Sequence, residues 1–299
     1  MHDATVLLPT LTELTPKQRV FFGYLAEREG PTREMYEYHL NRWFQWCDDQ
    51  RLDPMTVERT HVAMYVRYLH EACGLKGSTV NSYCTPVKGF YSHAFHEGEI
   101  PRDPAANVKM PKVHYGKKPP LERSELRAIS KAGREIGGRH WALTDLLMAM
   151  ALRISECTWI QIENYQETER GHRVLKFRRK GGRWETKPIP VAVLMALDDA
   201  AAGRTEGPLL VAIDGQPLHR SSATGLLNTV VRRAGIGKTV NPHWIRSSVI
   251  TDALEHGATL RDAQHLAGHL DPRTTAIYDL GDHNHDNNPV HVQAARLLS

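Results

Sequence analysis

Apolar residues recur every three to four positions through most of the first hundred residues, the spacing of one face of an α-helix. The spacing predicts helices over Pro16–Glu29, with Thr15 placed to cap it, and over Thr32–Gln50, where Tyr36, Leu40, Trp43 and Phe44 share a face. Val62, Tyr65, Val66 and Leu69 carry the same period into a third helix. A fourth spans Ser78–His96, with Val80, Tyr83, Val87, Phe90, Tyr91 and Ala94 as its apolar stripe. Gly30-Pro31, Asp53-Pro54 and Gly74–Gly77 punctuate these elements. The period then lapses: Pro101–Pro120 holds five prolines and several lysines, which reads as an interdomain linker.

Beyond it the pattern is mixed. Arg123–Ile136 and Trp141–Leu152 read as helices. Val174–Arg178 and Trp184–Pro190 read as two strands of a β-hairpin joined by a Lys-Gly-Gly-Arg turn. Helices follow over Val191–Ala202, Ser221–Ala234, Ile245–His256, Leu260–Leu266 and Asn288–Leu298. The expected fold is mainly α with a small β-hairpin in its C-terminal half. Its expected parts are a tail over 1–14, a helical domain over 15–108, a linker over 109–120 and a second domain over 121–299.

Composition narrows the class without deciding it. In 299 residues, 41% are hydrophobic and 24% charged, the balance of a chain that buries a core. No apolar run approaches the length of a membrane span, and Met1–Leu14 lacks a secretory pattern, so an intracellular, cytoplasmic protein is expected. The net charge of +4 is compatible with nucleic acid. Two local patches say more, Lys176–Arg183 and Lys109–Lys118, although either alone also fits a solvated face. Cys47, Cys73, Cys84 and Cys157 form no CxxC pair and sit in apolar helical surroundings, which predicts buried free thiols. Seventeen histidines form no ladder of metal-ligand spacing, and His283-Asn284-His285 is read as a polar loop, so neither a metal nor a cofactor is expected.

Three clusters in the second half carry residues suited to phosphate chemistry. Arg153 lies in Ala-Leu-Arg-Ile-Ser-Glu, where apolar flanks argue against a solvated charge. It either pairs with Glu156 or presents its fork to a phosphate. His243 and Arg246 stand three apart, on one face of a helix. Asp271-Pro272 starts a short helix after Gly268-His269, which would place Tyr278 on that helix. Each cluster alone also fits ordinary packing.

Together, in this order, they resemble the tyrosine recombinases, the family of phage integrases, Cre and the Xer proteins. Leu152-Arg153-Ile154-Ser155-Glu156 is similar to the family's first Arg string, and Lys180 in Arg179-Lys180-Gly181-Gly182-Arg183 to its hairpin lysine. His243-Trp244-Ile245-Arg246 is similar to its H-x-L-R string. Ala267-Gly268-His269, Thr274-Thr275 and Tyr278 resemble its closing Gly-His, Thr-Thr and Tyr, with the Tyr nine residues after the His. Ala267, Ile245 and Met150-Ala151 depart from the common residues, at positions read as packing; Lys176 and Lys187 are alternatives for the hairpin lysine.

The resemblance implies a helical core-binding domain followed by an α+β catalytic domain. The two would close as a C-shaped clamp on double-stranded DNA. It implies Tyr278 as nucleophile, Arg153 and Arg246 on the scissile phosphate, and His243 and His269 as proton-handling or donor groups. Lys180 would protonate the leaving oxygen, and Glu156 would support the site from behind. A homotetramer on DNA is implied, with a directionality factor among the partners and a C-terminal helix that docks on the neighbouring protomer. With the first helix about fifteen residues in, no arm-binding domain is expected, and hence short attachment sites. Integration of phage or mobile-element DNA is the expected role, with chromosome-dimer resolution beside it. A type IB topoisomerase, a telomere resolvase and a DNA-binding regulator that retains the fold are the rivals.

Overall fold

The computed structural model describes residues 13–113, 119–179, 182–279 and 289–298. The chain divides into two compact units, 1–117 and 118–299.

The first unit is helical: α1 (Pro16–Ala26), α2 (Gly30–Asp49), α3 (Arg59–Arg67), a π-turn over Tyr68–Ala72, and α4 (Gly77–His96). Thr15 caps α1 in a capping box with Gln18, which satisfies donors that the first turn leaves open. Gly30-Pro31, expected to separate two helices, instead opens α2, because a proline in the first turn forfeits no helical hydrogen bond. Trp43, Tyr65, Phe90 and Tyr91 are fully buried with Leu40, Val80 and Val87. The indole of Trp43 donates to Tyr91 Oη at 2.9 Å, and that hydroxyl donates to the Pro54 carbonyl at 2.9 Å, so both aromatic dipoles are met inside the core. Cys73 is exposed, against expectation, because it lies past the end of the π-turn and not on a packed helix face; Cys47, Cys84 and Cys157 are buried thiols.

The second unit packs α5 (Arg123–Ile136), α6 (Gly138–Met148), α8 (Val191–Ala201) and α9 (Arg220–Arg233) around Ile129, Leu143, Leu146, Leu147, Leu197 and Leu227. Between α6 and α8 lie α7 (Ile154–Thr158), a 3-10 turn, and an antiparallel sheet in the order β1 (Thr168–Glu169), β2 (His172–Arg178), β3 (Trp184–Pro188). The β2–β3 hairpin is the expected one; the short β1 lies outside the expected pattern. Its register sets Leu175 opposite Lys187 and Phe177 opposite Glu185. The unit continues through α10 (Pro242–Glu255), α11 (Leu260–Ala267), α12 (Pro272–Ala276) and α13 (Pro289–Leu297). Among the described residues, no helix is long and apolar enough to cross a membrane.

Two boundaries differ from expectation in ways that shape the site. The helix expected to run to Leu152 stops at Met148, and Ala151 takes a left-handed φ of +49°. That reversal starts a new helix with Arg153 as its N-cap. Tyr278 does not lie on α12, which ends at Ala276; it sits in the following turn, its N–H donating to Thr275 O at 2.9 Å.

Candidate DNA-cleavage site

The buried carboxylate of Glu156, 1% exposed, organises the first corner of the site. Its Oε2 accepts the Arg153 N–H at 2.8 Å, and its Oε1 accepts Arg153 Nη1 at 2.9 Å. The two readings of Arg153 therefore combine: it pairs with Glu156, yet about a third of its side chain remains exposed and able to meet a ligand. Glu156 Oε2 also accepts from Arg179 Nη1 at 3.1 Å, so one carboxylate serves two guanidinium groups.

The second corner is α10. Asn241 caps it by accepting the Trp244 N–H at 2.8 Å, and Pro242 fills its first turn, so the helix begins three residues before the expected Ile245. This start puts His243 and Arg246 in the first turns. His243 is exposed and Arg246 is buried, reaching the backbone carbonyls of Ala151 and Ala267. The part-buried Lys187 makes a parallel link, donating to Met150 O at 3.2 Å and Leu266 O at 2.6 Å. Two cations thus join the segment that leads into Arg153 to the segment that leads into His269.

The third corner follows α11. Gly268 ends that helix at φ +60°, where a side chain is strained. His269 then turns back: its Nδ1 lies 3.0 Å from Thr275 Oγ1 and its Nε2 3.5 Å from Arg246 Nη2. The Tyr278 ring stacks on His269, centroids 6.0 Å apart and planes 19° apart, and packs against Ile250, Ala263 and Ala267.

The charges around this cleft shape one another. Burial first, then the charges of Arg246, Arg153 and Arg179, push His269 down to about 4. Burial, then Arg246 and Arg153, lowers His243. Lys187 falls to about 8 through burial and then the charge of Arg179. Burial and the Arg153 charge bring Arg246 down to about 10, which leaves it cationic at neutral pH. The cations Arg153, Arg179, Lys187 and Arg246 outnumber the carboxylates of Glu156 and Glu185 there, a balance that attracts a negative group.

Arg153, Glu156, His243, Arg246, His269 and Tyr278 therefore gather at one place. Lys180 lies outside the described residues. Sequence reasoning missed Arg179 and treated Lys187 only as an alternative hairpin lysine. The signal for both was strand parity: Leu175 and Phe177 point inward, so Arg179 two residues on and Lys187 opposite Leu175 do too. The basic run Lys176–Arg183 is accordingly no uniform surface patch. Lys176 pairs with Glu167 at the surface, Arg178 is exposed, and Arg179 is buried. No group of three or more metal-binding side chains occurs among the described residues.

A helical unit followed by an α+β unit with this cationic cleft is the build of a site-specific DNA recombinase, and similarity to known proteins agrees. The phage integrase family matches residues 120–285, more than half of the chain, and the phage integrase N-terminal SAM-like domain matches residues 19–98. The chain belongs to the phage integrase family, and it is a tyrosine recombinase. Tyrosine recombinase XerD of Pseudomonas aeruginosa is 27% identical over 279 residues, 89% of this chain and 88% of that protein. XerD of Corynebacterium glutamicum is 28% identical over 281 residues, covering 87% and 91%. Among solved structures, XerH bound to its difH substrate after cleavage is similar with a TM-score of 0.70 at 17% identity, covering 89% of this chain and 80% of that one. A lambda integrase dimer bound to a COC' core site is similar with a TM-score of 0.70 at 16% identity, covering 90% and 96%. These two likenesses show the fold.

Proposed function

We propose that Tyr278 cleaves double-stranded DNA at a short core site and holds the 3′ end as a phosphotyrosine. The observation that carries this reading is that Arg153, His243 and Arg246 lie close enough to His269 for their charges to act on it, with the Tyr278 ring stacked on the same imidazole. In the reaction, the Tyr278 oxygen bonds to phosphorus as the bond to the 5′-oxygen breaks. Arg153 and Arg246 take the non-bridging oxygens and offset the charge of the pentacoordinate transition state. His243 accepts or shares the tyrosine proton, His269 donates to a phosphate oxygen, and Lys180 gives the 5′-oxygen its proton. Glu156 holds Arg153 in place. A 5′-hydroxyl from a partner strand then attacks the phosphotyrosine and releases Tyr278. The phosphodiester is conserved, and no nucleotide triphosphate is consumed.

Double-stranded DNA as partner, and a homotetramer during exchange, follow by likeness to the DNA-bound structures, one of them a lambda integrase tetramer on a Holliday junction. The bacterial relatives support action in the bacterial cytoplasm. Integration of phage or mobile-element DNA is the role this reading assigns. Chromosome-dimer resolution is a second reading, favoured by similarity to Xer proteins along nearly the full length of both chains.

The test is to incubate the protein with plasmid carrying the DNA around its own gene, or with total genomic DNA. Detergent quenching would then reveal any covalent protein–DNA adduct. Wild type should form one and Tyr278→Phe none, with DNA binding retained. A mapped site beside the gene supports integration; one fixed site elsewhere in the chromosome supports the second role. Adduct formation by Tyr278→Phe would overturn the assignment of the nucleophile.

A further inference from the structure

Arg179 is 3% exposed, and each of its three guanidinium nitrogens has an acceptor. Nε and Nη2 form a fork on Glu185, at 2.8 and 2.7 Å. Nη1 donates to Glu156 Oε2 at 3.1 Å and to Ala267 O at 3.3 Å. The plane lies against Phe177, 4.8 Å from the ring centroid. It also lies so close to Gly268 that a Cβ there would collide with it.

The partners are what make this buried charge informative. Glu156 is the carboxylate that holds Arg153, and the Ala267 carbonyl also accepts from Arg246. Gly268 immediately precedes His269. One guanidinium therefore touches the supports of both arginines assigned to the phosphate and the backbone that aims the histidine. A residue needed only to fill the core would be apolar there, since burying an ion pair seldom adds stability over a well-packed hydrophobic replacement. Arginine's rigid fork can join three separate segments at fixed angles, which a lysine cannot do.

We infer that Arg179 is a positioning residue for strand cleavage, tying β3, α7 and the end of α11 together so that Arg153, Arg246 and His269 stand in register on the scissile phosphate. The inference rests on the proposed cleavage by Tyr278. It assigns Arg179 no contact with DNA.

Two variants test it: Arg179→Lys, which keeps the charge but loses the fork, and the double Arg179→Met, Glu185→Met, which removes the buried pair together. Thermal unfolding and DNA binding establish that each is folded. Cleavage is then timed on two duplexes carrying the point mapped in the adduct assay, one with the natural phosphate and one with a methylphosphonate there. A methylphosphonate carries no charge for the arginines to offset. The inference expects at least a tenfold slower cleavage of the natural phosphate with binding within about threefold of wild type. On the neutral substrate the gap should shrink to threefold or less. A wild-type rate on the natural phosphate, or an equal loss on both substrates, would overturn it. In the absence of DNA, amide exchange at Cys157 and His269 should quicken in Arg179→Lys, and unchanged exchange would count equally against it. Failure of wild type to cleave either duplex would instead remove the Tyr278 reading, so the two failures are distinct.

Discussion

His269 lies among Arg246, Arg153 and Arg179, and each of those charges opposes its protonation. A neutral imidazole has one donor and one acceptor nitrogen, so the Thr275 hydroxyl beside Nδ1 helps set which nitrogen of His269 carries the proton. Because its folded value is about 4 and its ordinary value 6.5, the unfolded chain takes up this proton first as pH falls. The contribution of His269 to stability is thus complete above about pH 6.5 and is lost as pH falls toward 4. Urea midpoints measured between pH 7 and 4.5 should therefore decline more steeply for wild type than for His269→Asn.

At the scale of elements, the site is held where helix and strand ends meet. The carbonyls of Met150, Ala151, Leu266 and Ala267 take cations from β3 and α10 in place of the helical donors they lack. Replacing Lys187 by Met leaves the Met150 and Leu266 carbonyls without that donor. A loss of about 1–3 kcal/mol in chemical denaturation is expected, the cost of an unmet buried acceptor. Gly268→Ala should cost about 1–2 kcal/mol through its left-handed backbone. It should also displace the Arg179 guanidinium, so cleavage should fall further than stability alone explains. Comparing the melting temperature with the adduct rate checks both parts. Ala151 already bears a left-handed φ, a local strain placed where the chain must turn to present Arg153.

For the whole molecule, the two units have separate cores, and the last helix is the piece to test. Leu297 and Leu298, at its end, are 76% and 85% exposed, an apolar surface left open in the single chain. Under the proposed tetrameric exchange this helix would dock on a neighbouring protomer. Deleting residues 288–299 should leave single-site DNA binding within about threefold while abolishing cooperative assembly of two sites. Gel-shift titration with one-site and two-site duplexes measures both. Affinity should also drop steeply with salt, as counterions return to the phosphates.

Much of this was legible in the chain itself. The helical stripes of the first unit are read directly from residues such as Leu40, Trp43, Val87 and Phe90, because a helix buries whatever its period places on one face. The order of Arg153, His243, Arg246, His269 and Tyr278 carried the family and the candidate site, because those side chains are chosen for chemistry as well as for local structure. Tertiary structure alone decided the rest. Glu156 serves Arg153 and Arg179 together, and that sharing depends on two segments meeting that lie 23 residues apart. Arg179 looks like a surface charge in a basic run, and Lys187 like one more hairpin lysine, until the hairpin's inward face is known to meet the end of α11. Tyr278 was expected on a helix that stops two residues short of it. Local sequence carries period and caps, whereas burial of a charge depends on partners that only the folded chain brings near.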